Sequence, residues 1–188
     1  MRQTAGVPVY SYEGVRPRIA RGAFVHPDAV LIGDVEVGDD ASVWPGAVLR
    51  GDHGRVVVGA RTSIQDGTVV HTTADWPTLV GADCVVGHNA HLEGCVVEDG
   101  SLVASMSTVL NRSRIGAGSV VAAAALVTEG LQVPLASMVV GVPGRVRPLG
   151  DPAAHRARIA RAVTMYVENA RHYPGAMAPV DLESCRLD

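Results

Sequence analysis

The sequence predicts an all-β fold, a parallel β-helix of about six coils followed by one C-terminal α-helix. Three observations point there. One aliphatic residue recurs every sixth position, small or acidic residues follow many of those aliphatics, and the periodicity changes to a helical one after a Pro-Gly exit.

The count of six lands on Ile19, Val25, Leu31, Val37, Val43 and Leu49. It resumes at Val58, Ile64 and Val70, again at Val80, Val86 and Leu92, and then runs from Val97 through Val103, Val109, Ile115 and Val121 to Val127. An α-helix repeats at 3.6 and a half-buried strand at 2, so neither accounts for a sustained six. Three such hexads make one triangular coil, with a short strand on each face and a turn at each corner. Pairs such as Val37-Gly38, Val58-Gly59, Val86-Gly87 and Ile115-Gly116 supply those turns.

Composition fits a narrow prism filled by stacked Val, Ile and Leu: the chain is 47% hydrophobic yet holds one Phe, two Trp and four Tyr. The net charge of -3 offers no broadly basic surface, which disfavours nucleic acid as a partner. No apolar run approaches the roughly 18 residues of a membrane span. Three cysteines without a C-x-x-C pair, and an amino terminus MRQTAGVPVY without a charged-then-apolar leader, lead us to expect a reduced, cytoplasmic protein.

The β-helix is expected over 1–148, with Pro143 and Gly144 ending strand pairing. Asp151 followed by Pro152 reads as a helix N-cap with proline in the first turn, and Ile159, Val163, Tyr166, Val167 and Ala170 recur at helical spacing. A helix over 149–173 should therefore pack on the prism, leaving a loose tail over 174–188.

Departures from six mark the candidate site. The steps Leu49 to Val58 and Val70 to Val80 are long and the step Leu92 to Val97 is short, so chain should project at those corners. The long steps contain Arg50-Gly51-Asp52-His53 and His71-Thr72-Thr73-Ala74-Asp75-Trp76-Pro77. Stacking the coils places Arg50, His71 and Glu93 in one outer column at a spacing of about 4.8 Å. Asp66 and His88 stack in the same way on another face, and His91 projects from the face of Glu93. Histidines on a flat outer face need a second subunit to close a site, and a cyclic trimer suits a triangular prism.

The segments Arg50-Gly51-Asp52, Ser63-Ile64-Gln65-Asp66, Val70-His71-Thr72 and Gly87-His88-Asn89-Ala90 through Gly94-Cys95 resemble the motifs of the γ-class carbonic anhydrase-like hexapeptide proteins. The likeness runs from about residue 10 to the C-terminal helix, with matching order and spacing. It implies a left-handed β-helix, a homotrimer, and a zinc or iron site between subunits held by three histidines. His71 and His88 fall on two of those ligand positions, and Glu93 stands on the third.

Three readings of that change are open: Glu93 as a metal ligand, His91 as a substitute ligand, or loss of metal in favour of a Glu93–His71 acid-base pair. Two histidines and a carboxylate are an accepted zinc set, and bound metal would supply hydroxide for a lyase or hydrolase acting on a small molecule. A carboxylate ligand lowers the net positive charge on the metal, so carbon dioxide hydration should be weak or absent. The resemblance further implies that Gln65 hydrogen-bonds the nucleophile, that Arg50 and Asp52 form an intersubunit ion pair, and that Tyr166, in Y-x-x-x-A-x-x-Y with Tyr173, approaches the site. Asp66 could orient His88.

The same repeat carries coenzyme A-dependent acyltransferases, in which His71 or His88 could serve. A thioesterase and a non-catalytic trimeric scaffold are further alternatives. His26, His53, His155 and His172 have no partner at ligand spacing and read as surface or loop residues; Cys95 reads as structural.

Overall fold

The computed structural model describes residues 8–187. Residues 1–7, which hold most of the segment read for a missing leader, lie outside the described residues, as does Asp188 of the expected tail. Short parallel strands stack in register with one inward aliphatic apiece. Val37, Val58, Val80, Val97, Ile115 and Val133 fill the first face, and Val43, Ile64, Val86, Val103, Val121 and Val139 fill the second. Leu31, Leu49, Val70, Leu92, Val109 and Val127 fill the third, and every one of these side chains is buried. Burying a Val, Leu or Ile side chain stabilises by about 1.5–3 kcal/mol, which makes this triple stack the dominant favourable interaction.

Most corners turn on a residue with positive φ, including Asp40, Arg61, Asp83, Asn89, Met106 and Arg112. The count of six runs beyond Val127 through Val133 and Val139. Strand pairing does not end at Pro143-Gly144: Ser137–Val140 folds back on Arg145–Pro148 as an antiparallel pair, which closes the end of the prism.

The first irregular step is not a projecting loop. Val48–Val58 is one continuous strand that carries the third face round its corner into the first, with a register shift against Val30–Val37. The second step is a loop, pinned by Thr72 Oγ1 donating to the Trp76 carbonyl at 2.7 Å. The short third step turns at Gly94, whose φ of +58° glycine adopts without strain, and a Cβ there would force the Asn111 side chain to move.

The helix Pro152–Ala176 packs on the second face through Ile159, Val163, Val167 and Ala170. Its N-cap Asp151 accepts from the amides of Ala153 and Ala154, both at 3.0 Å. It continues through Pro174 to Ala176, and a short 3₁₀ turn, Leu182–Cys185, follows. Four of the seven aromatics sit outside the prism, in the seam beneath the helix: Trp44 lies 5.3 Å from Phe24, 5.7 Å from Tyr166 and 5.0 Å from Tyr173 between ring centroids. No helix among the described residues is long and apolar enough to cross a membrane.

Candidate functional site

Strand register places the column directly: Arg50 pairs with His71, and His71 with Glu93. His71 is held from both sides. Its Nδ1 lies 3.2 Å from Glu93 Oε1 and its Nε2 lies 3.1 Å from Asp52 Oδ1. Asp52 also accepts from Arg50 Nη1, and Glu93 Oε2 lies 3.3 Å from His91 Nε2. The result is one connected row, Arg50–Asp52–His71–Glu93–His91, on the outer surface of the third face.

Proton counting defines what this row can do. Each contact between a ring nitrogen and a carboxylate oxygen needs one proton, and a neutral imidazole brings only one. His71 therefore either carries both protons or shares one with a neighbouring carboxyl. The contacts set one imidazole between two carboxylates, an arrangement suited to proton transfer. Burial by itself would raise the pKa of Asp52, but hydrogen bonds from Arg50 and His71 outweigh it and hold the carboxyl below its usual range. Asp52 is thereby fixed as an anion. Glu93 is the more open of the two, 26% exposed against 15%, and is the carboxylate that an external water can reach.

The structure does not bring every candidate residue into this row. His88 and Asp66 form their own pair at the corner between the second and third faces, Nδ1 to Oδ2 at 2.8 Å, with both half-exposed. Gln65 is buried in the seam under the helix beside Tyr166, whose phenol is shifted up by burial and by the charge of Asp66, the Gln65 amide opposing.

The donor set tests whether a metal ion fits. His88 has its Nδ1 on a carboxylate and its Nε2 without a partner among the described residues, an arrangement typical of an oriented ligand. His71 differs: both of its nitrogens already face carboxylates, and both oxygens of Glu93 face imidazoles. Among the described residues no three His, Cys, Asp or Glu side chains form a group able to hold a metal ion. A three-ligand metal does not fit the donors of one chain.

One histidine departs from the sequence reading, and another, His53, is exposed as read but reaches the row. His26 is buried, not a surface residue: its Nδ1 accepts the Asp28 amide at 3.1 Å and its Nε2 faces Met177 Sδ at 3.2 Å. His53 stacks edge-on to His71, centroids 6.1 Å apart, and so borders the row. The sequence signal for His53 was its place in the same irregular step as Asp52. Cys95 is buried in the coil wall and burial pushes its thiol up to about 12, which excludes a nucleophilic role at neutral pH.

The sequence family described as Bacterial transferase hexapeptide (six repeats) matches residues 16–51. The carnitine operon protein CaiE of Escherichia coli is 42% identical over 151 residues, 80% of this chain and 77% of that protein. Among solved structures, a hexapeptide transferase family protein from Anaplasma phagocytophilum is 33% identical with a TM-score of 0.84, covering 88% of this chain and 98% of that one. The Bacillus cereus BC4754 product, for which an acetyltransferase role has been suggested, is 31% identical with a TM-score of 0.88, covering 92% and 99%.

Proposed function

This chain belongs to the bacterial hexapeptide-transferase family that includes CaiE, and from that membership we propose that it moves or hydrolyses the acyl group of a small-molecule thioester at a site closed between subunits of a homotrimer. The observation that carries the reading is His71 clamped between Asp52 and Glu93. The suggested role of the Bacillus cereus relative supports the same class of reaction.

Residue roles follow from the geometry. Glu93, the open carboxylate, accepts the proton of the attacking water or acceptor hydroxyl as oxygen adds to the thioester carbonyl. Carbon–sulfur cleavage follows, and the departing thiolate takes a proton from His71. Asp52, kept anionic by Arg50, holds the His71 ring in place through the cycle. His91 fixes the second oxygen of Glu93. The His88–Asp66 corner of a neighbouring subunit is the wall that the open row lacks.

Acetyl and butyryl thioesters of coenzyme A, assayed with and without chelator, test the reading. We expect turnover that survives the chelator and is lost in Glu93→Gln, with carbon dioxide hydration weak or absent. Turnover abolished by the chelator and restored by zinc would overturn it in favour of a metal site completed by the neighbour's histidine. No turnover in either condition, with the trimer intact, would favour a scaffold.

A further inference from the structure

Beneath the helix, beside the His88 corner, lies a recess of about 290 Å³ that the row does not use. We propose that this recess binds the substrate's acyl group and selects a short chain ending in a carboxylate; the proposal rests on the acyl-group reading above.

The recess has an apolar middle and polar ends. Ala104 on the second face and Ala162 on the helix form its walls, and their small side chains leave the seam open. Towards the corner stand Gln65 and Tyr166. Gln65 is only 4% exposed and stands beside Tyr166 in the lining of the recess. A primary amide has two donor hydrogens and an acceptor oxygen, so most of its capacity is left for an occupant. That need suits the carbonyl end of an acyl group, next to the His88 corner that walls the neighbouring subunit's row.

Arg158 lines the recess two helical turns before Tyr166, about 12 Å away along the axis. Arg158 is exposed at the mouth of the recess, and no carboxylate lies within 4.0 Å of it among the described residues, whereas Arg61 is held by Asp83 and Arg171 by Asp40. An uncommitted guanidinium facing an apolar channel suits a carboxylate, which it can bind bidentately. A neutral chain leaves that charge unanswered.

Calorimetric titration of the full-length protein with glutarate and with butyrate tests the assignment. Glutarate should bind at least tenfold more tightly than butyrate. Arg158→Ala should reduce glutarate to the affinity of butyrate, and Ala162→Phe, which fills the recess, should abolish binding of both. No glutarate binding by the parent protein, or unchanged binding by Ala162→Phe, overturns the proposal; circular dichroism of both variants excludes misfolding as the cause. Turnover of glutaryl and butyryl thioesters separates the two levels. If both are inert while glutarate binds at Arg158, the reaction fails and the recess stands. If both are cleaved equally and Ala162→Phe changes neither rate, the recess fails and the reaction stands.

Discussion

From Val97 to Val139 the inward residues advance strictly by six, whereas between Leu49 and Val97 the step is irregular each time the chain passes from the third face to the first. In the regular half, the positions above His91 and Glu93 are Thr108 and Leu110, and the buried serines Ser101, Ser107, Ser113 and Ser119 close hydrogen bonds to backbone carbonyls. In the irregular half the column of Leu110 carries Glu93, His71 and Arg50, all ionisable, and all three departures fall at one corner. Regular hexads therefore fix heights and faces. The irregular steps free that corner from turn-making, so that the strand Val48–Val58 can carry Asp52 alongside His71 and Gly94 can end the strand just after Glu93.

The contrast breaks most decisively at Glu93. We expect Glu93→Gln to lower thioester turnover by about 10²–10⁴-fold, the usual contribution of a positioned general base, with little change in the melting temperature. Thr108→Ala, on the same face one coil on, should leave both unchanged. Equal losses in the two variants would show that the face acts as a unit and that the regular half shares in the chemistry.

Ile115→Ala should do the reverse. Ile115 is fully buried in the regular stack, and truncation there costs about 2–5 kcal/mol through lost transfer energy and the cavity left behind. The measurement is the urea midpoint, with turnover per folded molecule unchanged. A cost near zero would mean that the coils collapse around the gap and that the stack is less rigid than its close packing implies.

Much of this was legible because pairing register in a hexad repeat is arithmetic: the Arg50–His71–Glu93 column and the Asp66–His88 pair follow from counting. The Asp52–His71 contact did not follow, since the count is lost within the irregular step and only the path of the continuous strand returns Asp52 to the row. His26 was misread because its cover, Met177, comes from 151 residues away. The helix runs past the expected end at 173 through Pro174 to Ala176, since a proline in a last turn removes one backbone donor and breaks little else.

Asp52→Asn sharpens the link between the halves through pH. A carboxyl whose folded-state pKa is depressed contributes stability that is fully present above its unfolded value of about 3.9 and is lost as the pH falls through the lower folded value. The variant should thus be less stable than the parent at pH 7 by a gap that holds down to about pH 5 and closes below about pH 3.9. A gap that persists unchanged in acid would assign the effect to packing rather than to charge.

The smallest effect is expected where the helix meets an early coil at the surface. Arg171 binds Asp40 through two contacts of 2.9 Å, bridging the helix to a prism corner, but its side chain is 64% exposed. Water and salt screen such a pair, so Arg171→Ala should cost less than about 1 kcal/mol, and raising the ionic strength should erase most of the difference from the parent. The helix is held by Ile159, Val163, Val167 and Ala170 instead, a buried stripe that salt does not weaken. A larger, salt-resistant loss in Arg171→Ala would show that the ion pair sets the seating of the helix, and the recess beneath it should then lose glutarate affinity in the same variant.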